Sequence, residues 1–560
     1  MVGVRDRTER DQEAGRCYYE IRIMRARCRR CVRLKKENDM KKRFLILAVC
    51  SMLLLGCNGT AEHDDSTVTT DRFRNIKETI LADIDKGKIP SVTVAVVEDG
   101  NVIWMESFGY ADKENRIKAT PDTLYSIASI SKTMTATGIM KLVEEGKIDL
   151  DADVETYLPD IDLKYHVRGS EPVTCRDLLS HTAGLPMHFQ YYYDDDNIAI
   201  PEIRHVVNQY GIIVSPPSSK YEYANLGYGI LGQVIAEASG RGFNAYMAEA
   251  VFAPLGMTRT TFDTSSDTKA RLAKRYDLNG DLMPFSFSDT PGAGNASTTI
   301  GDLIQFGQFH LGNGSDKAAS LLRPETIQSM QRGQYPDNTN GRNTYGLGWF
   351  HEDATYKSRM VYHAGGMDGI DAMMRLLPEK GIVVAALSNQ YSEYTHELTE
   401  QILLEMVPDL KSVDTGQAQA QPAGTKEQST EIKQQDLNGT WSGHILADNG
   451  KIPITLIFQE DGDIHVHMPI QFESMLLFTN RYRIQHKMLL NKWFFRNGHF
   501  MGWYAGDIPG EHLFRCPQTT LLNLTYEDGK LIGTATALAS NPSKMYYALS
   551  HFMELEKEDE

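Results

Sequence analysis

The 560-residue chain is short of cysteine where a framework would need it. Five of its seven cysteines (Cys17, Cys28, Cys31, Cys50 and Cys57) precede residue 58, and only Cys175 and Cys516 follow. Two widely spaced thiols cannot staple a fold, so no disulfide framework is expected. Cys28 and Cys31 have metal-ligand spacing, but no second pair or histidine cluster accompanies them, so no metal is expected. No motif implies an organic cofactor. The chain also lacks an apolar run of the roughly 20 residues that a membrane-spanning helix needs. Positive charge is scarce beyond the N-terminus. Residues 1–57 hold 15 Lys/Arg and 7 Asp/Glu, a net +8, whereas the whole chain carries −16, which leaves −24 for the remainder. So acidic a body repels nucleic acid and anionic lipid headgroups, and neither is expected as a partner. Gly-x-Ser-x-Gly is absent, which excludes an α/β-hydrolase, and Lys-x-Gly is absent too.

What is present begins at Met40 with MKKRFLILAVCSMLLLGC, a charged start followed by a short apolar run. This is the pattern of an export signal, 40–57. Its ending resembles the lipobox of bacterial lipoproteins, which implies acylation of Cys57 and membrane contact through that lipid alone. Residues 1–39 then read as an upstream extension from a start codon placed too early. The polar stretch 58–71 reads as a tether. The expected location is the bacterial cell envelope.

The chemical centre is YSIASISKTMTATGIMKLVEEGKIDL, Tyr125 to Leu150. Ser129 and Lys132 are three residues apart at the mouth of an apolar helical pattern, so amine and hydroxyl share a face. An amine that can take its proton turns a serine into a nucleophile. A second Ser-x-x-Lys, Ser266 to Lys269, runs into Ala270-Arg271-Leu272-Ala273-Lys274-Arg275, too charged for a core helix, and is read as chance.

Two further groups follow. Tyr223-Ala224-Asn225, the single Tyr-x-Asn of the chain, stands before the apolar run 226–238. Beside a lysine ammonium the Tyr223 phenolate would be favoured, making it a general base and later an acid. Asn225 could bind a substrate carbonyl and hold Lys132. His363-Ala364-Gly365-Gly366 is expected at a strand end, its glycines letting a substrate backbone approach. The other His-x-Gly, at His310, ends a helical run and reads as capping. For His181, in LLSHTAGL, a role in holding loop backbone accounts for the residue better than catalysis does. Tyr191–Asp196 could form a cleft rim or a solvated loop.

In that order, with LLSHTAGL, PLGM at Pro254–Met257 and YGLGW at Tyr345–Trp349 in support, the three triplets resemble the class C β-lactamase and penicillin-binding-protein superfamily of serine hydrolases over residues 72–408. The resemblance implies an α/β (α+β) fold, an antiparallel sheet flanked by helices plus an all-helical lobe. It implies acylation of Ser129, proton relay by Lys132 and Tyr223, and substrate positioning by Asn225, His363, Gly365 and Gly366. The backbone N–H groups of Ser129 and Gly366 would form the oxyanion hole. Family members that act on β-lactams usually carry lysine at His363. The substitution resembles the branch of esterases and peptidases acting on D-amino-acid substrates, small molecules or peptides. β-Lactamase or D-Ala-D-Ala carboxypeptidase activity is the alternative, and a non-catalytic lipoprotein binding cell-wall fragments is the alternative of another class.

Residues 409–436 are rich in Gln, Ala, Thr and Lys and read as a linker. Beyond Leu437, Ile452, Ile454 and Leu456 alternate, as do Ile464, Val466 and Met468, with turn signals at Asp461-Gly462, Asn497-Gly498 and Asp528-Gly529. An all-β barrel or sandwich over 437–560 is expected. It resembles the lipocalin-like domain appended to some of these hydrolases, as a substrate-shaping module or a mere accessory.

Overall fold

The computed structural model describes residues 72–558 except 197, 314–319, 335–342, 353–355, 412–433, 448–449, 461, 469–486, 497–498, 507, 509–518 and 542–543. The upstream extension, the signal with Cys57 and the tether therefore lie outside the described residues, as does most of the linker.

Helix α1 (Arg74–Asp85) leads into the hairpin of β1 (Ser91–Glu98) and β2 (Asn101–Asp112). Asp99 and Gly100 both take positive φ, 48° and 79°, the geometry of a two-residue turn matched to strand twist. A short strand β3 (Ile117–Lys118) follows, then a 3-10 turn at Ala128–Ile130 that runs directly into α2 (Ser131–Glu144). The insertion contributes α3 (Cys175–Ser180), strand β4 (His188–Tyr193) and α4 (Asn225–Ser239). Next come β5 (Ser286–Ser288), α5 (Ile300–His310), β6 (Asn343–Tyr345), β7 (Phe350–Glu352), β8 (Met360–Met367), β9 (Ile370–Leu377), β10 (Ile382–Ser388) and α6 (Tyr394–Met406).

The main sheet is antiparallel, in the order β6-β7-β8-β9-β10-β1-β2-β3, so both ends of this region meet at the β10–β1 pair. β9 and β10 are buried along their whole length, because helices cover both faces. α1 and α6 pack on one face and α5 on the other, with α2 and α4 behind it. The chain thus has the α/β architecture expected. One part differs. The insertion is not wholly helical, since HFQYYY is strand β4. Its alternating residues His188, Gln190 and Tyr192 are buried, and aromatic side chains favour a pleated, half-buried surface.

The C-terminal strands are β11 (Gly439–Ala447), β12 (Gly450–Phe458), β13 (Ile464–His467), β14 (Lys487–Leu489), β15 (Asn491–Arg496), β16 (His499–Ala505), β17 (Thr519–Glu527), β18 (Lys530–Asn541) and β19 (Lys544–Lys557). They form a nearly closed, barrel-like antiparallel sheet in which β11 lies between β12 and β19. Ile452, Ile454, Leu456, Ile464 and Val466 face its core, as their alternation requires. This sheet does not stand apart. Tyr547, Ala548 and Leu549 of β19 pair with Gln190, Phe189 and His188 of β4, whose far half pairs with β5. All described residues belong to one compact unit.

Candidate active site

Ser129 sits in the 3-10 turn, half-buried, with Ala128 before it held at φ 41°. A non-glycine residue in the left-handed region is costly, and such strain is a feature of sites where one side chain must be aimed. The turn is pinned from behind. Ser131 Oγ donates to the Ala128 carbonyl at 2.5 Å and accepts from Ala296 N at 3.0 Å, while Ile127 N donates to the Ala296 carbonyl at 3.0 Å.

One helical turn on, Lys132 is fully buried, with Nζ 3.1 Å from Ser129 Oγ and 2.9 Å from the Ala293 carbonyl. Burial holds its amine well below the usual lysine range, and among the described residues no carboxylate pairs with it to stabilise the ammonium. Asn225, expected to hold Lys132, starts α4 instead, half-buried, and the Ala293 carbonyl takes that role. The segment Pro291–Gly294 is thus a component that the sequence reading missed. Its small residues were the signal: a Cβ on Gly292 would lie 2.5 Å from the Tyr228 carbonyl.

The Lys132 Nζ lies 4.8 Å from the ring centroid of Tyr223, and Ser129 is close enough to act on the Tyr223 phenol. Burial raises the phenol pKa, against a smaller lowering by Ser129. The phenolate expected beside a lysine ammonium is therefore not favoured. A Lys–Tyr ion pair would put two charges into a dry site, so both groups rest neutral.

Two histidines brace this arrangement. His181, in the left-handed region at φ 60°, accepts the Ala224 N–H through Nδ1 at 3.1 Å, and its ring centroid lies 4.2 Å from that of Tyr223. It holds the backbone between Tyr223 and Asn225, as the sequence reading favoured. His363 departs from expectation. It was placed at a strand end facing the cleft, but β8 runs on to Met367 and His363 is 1 % exposed. Its Nδ1 donates to the Ala364 carbonyl at 2.7 Å, so Nε2, 3.1 Å from Tyr345 Oη, is the acceptor. Burial pushes its pKa down to about 3. His363 is a buried, neutral prop under Tyr345.

The glycines divide in the same way. A Cβ on Gly365 would lie 2.0 Å from the Ile127 carbonyl, so this position lets the Ser129 turn, rather than a substrate, press against β8. Gly366 is exposed, with the Tyr391 ring over it. Tyr191 packs on Ala128, Met367 and Ile370 at the rim, whereas Asp194, Asp195 and Asp196 are engaged by Lys269 and Lys544. The rejected Ser266 is exposed, and its Lys269 is the partner of Asp194.

Comparison with known proteins agrees with this geometry. The family model described as "Beta-lactamase" matches residues 75–405. Protein flp of Staphylococcus aureus (strain N315) is 28 % identical over 347 residues, 61 % of this chain and 68 % of that protein. A solved class C beta-lactamase superposes with TM-score 0.51 at 19 % identity, covering 64 % of this chain and 100 % of its own. The octameric penicillin-binding protein homologue from Pyrococcus abyssi superposes with TM-score 0.52 at 21 % identity, covering 85 % of this chain and 99 % of its own. That wider coverage takes in strands of the C-terminal sheet.

Proposed function

The chain belongs to the beta-lactamase family of serine hydrolases, and from that premise we propose that it works through an acyl-enzyme on Ser129. The observation that carries this reading is a buried, uncharged amine hydrogen-bonded to a half-exposed serine hydroxyl. Neutral Lys132 takes the Ser129 proton as Oγ attacks a carbonyl. The backbone N–H groups of Ser129 and Gly366 receive the developing oxyanion, each worth about 10²–10³ in rate. Tyr223 gives its proton to the leaving group and is replenished by Lys132. Water then attacks the ester, giving its proton to the same relay, and Ser129 is restored. Asn225 stands at the start of α4, two residues after Tyr223.

Substrates are small esters or amides, D-amino-acid derivatives among them. Acyl-transferring family members that act on β-lactams need a cation for the substrate carboxylate. Here the position is a buried neutral imidazole, and a neutral group holds an anion weakly. A fluorophosphonate probe tests the reading, since it labels only an activated serine: the wild type should label and Ser129→Ala should not.

The same proposal places the protein in the cell envelope, anchored at Cys57. Cys57→Ser should move the exported protein from the membrane to the soluble fraction. An N-terminal mass showing Met1 joined to the mature body would contradict it.

A further inference from the structure

The turn after β8 carries a carboxylate that the acylation chemistry does not use. Asp368 lies two residues beyond exposed Gly366 and is half-buried. Its Oδ2 accepts from Met545 N at 2.5 Å and from Tyr193 Oη at 2.7 Å. One of these donors comes from the C-terminal sheet and the other from β4, so two regions of the chain fix one carboxylate. Among the described residues nothing hydrogen-bonds Oδ1. No cation among the described residues hydrogen-bonds Asp368, although its charge helps to keep the buried Arg275 ionised. Arg275, 3 % exposed, spends its guanidinium on the Ser286 carbonyl, Ser286 Oγ and Ser126 Oγ, and Lys544 reaches Asp195 at 2.5 Å.

The direction of β8 shows which part of a substrate Asp368 meets. Its His363 end lies beneath Tyr345, whose ring faces Tyr223, the donor to the leaving group. The leaving group therefore lies toward that end. The acyl part extends the other way, along Met367 toward Asp368, past Tyr191, which packs on Ala128 and Met367. Tyr191 thus packs between the Ser129 turn and the strand end that leads to Asp368.

We propose that Asp368 receives a cationic group on the acyl part of the substrate, in the simplest case a free α-ammonium, so that aminoacyl esters and amides are preferred to their N-acylated counterparts. This rests on the acyl-enzyme reading above. A charged hydrogen bond of this kind corresponds to roughly 10- to 150-fold in kcat/KM. It also gives the C-terminal sheet a task, since Met545 N is one of the two donors that orient the carboxylate.

The test uses the full chain and the p-nitroanilides and p-nitrophenyl esters of alanine, in both configurations, with and without N-acetylation. The readout is the ratio of kcat/KM for free-amine over acetylated substrate, with KM and kcat separated. In the wild type at pH 6.5 the ratio should exceed about 10, mostly through KM, and should collapse above the substrate amine's pKa of about 8. The groups facing Asp368 do not titrate in that interval. Tyr191 and Tyr193 are raised by burial, Arg275 is lowered only to about 10, and Lys544 is raised. Asp368→Asn should bring the ratio to near one at both pH values. Tyr193→Phe, which removes one of the two clamping bonds, should lower it partway and serves if the first variant does not fold. A purely structural role would depress both substrates alike and leave the ratio and its pH dependence intact. A wild-type ratio near one, a ratio unchanged by Asp368→Asn, or no turnover of either compound by a probe-reactive enzyme would each overturn the proposal. Turnover surviving in Ser129→Ala would instead defeat the acyl-enzyme reading, whatever the ratio.

Discussion

At the scale of single residues, the site is governed by dehydration. Among the described residues Lys132 has no carboxylate partner, and its hydrogen bonds go to Ser129 and the Ala293 carbonyl, so burial sets its charge. The neutral amine is the active form of a base whose pKa is lowered, so activity is present above that pKa and lost as pH falls through it. Tyr223 is shifted the opposite way, so its phenol keeps its proton through neutral pH. kcat/KM should therefore rise along a single acid limb and level off well below pH 10.5. Lys132→Arg, charged at every accessible pH, should lose at least about 10³-fold and the limb with it. A variant retaining the limb would show that another group is the base. Sequence alone paired Lys132 with Ser129 through their i,i+3 spacing. It mistook the state of Tyr223, because proximity to an amine is legible in a motif and the loss of water around it is not.

At the scale of elements, strand β8 and the Ser129 turn are fitted to each other through two glycines of different kinds. Gly365 abuts backbone, the Ile127 carbonyl, which cannot move without displacing Ser129. Gly366 abuts the Tyr391 ring, whose side chain is 43 % exposed and can swing aside. Gly365→Ala should lower the melting temperature by several degrees and slow probe labelling at least tenfold, since forced overpacking costs about 1–3 kcal/mol. Gly366→Ala should stay within about threefold of wild type in labelling. Equal effects would mean that β8 does not set the Ser129 turn. The triplets themselves were legible, as were the Asp99-Gly100 hairpin and the helix after Ser129. What β8 does with His363 was not. An extended His-Ala-Gly-Gly reads equally well as a cleft lining or as a buried seam, and only the burial of alternate residues decides between them.

At the scale of the whole molecule, composition suggested two domains joined by a linker, and the strand alternation beyond Leu437 correctly gave an all-β sheet. The seam was hidden, because the paired residues Gln190 of β4 and Tyr547 of β19 are 357 positions apart (547 − 190) and their pairing leaves no local trace in either segment. Removing the chain after Lys411 would strip β4 of that partner and Asp368 of Met545 N. Unpaired strand edges invite aggregation, so the truncated protein should be insoluble or should label several-fold more slowly; a soluble fragment labelling at the wild-type rate would show that the hydrolase region is self-sufficient. The most direct test of the whole reading is which serine becomes acylated. Full-length protein treated with a fluorophosphonate, digested and analysed by mass spectrometry should carry the adduct on Ser129 alone. Ser129→Ala should carry none, and Ser266→Ala should label as the wild type does. An adduct on any other serine, or equal labelling of wild type and Ser129→Ala, would contradict it.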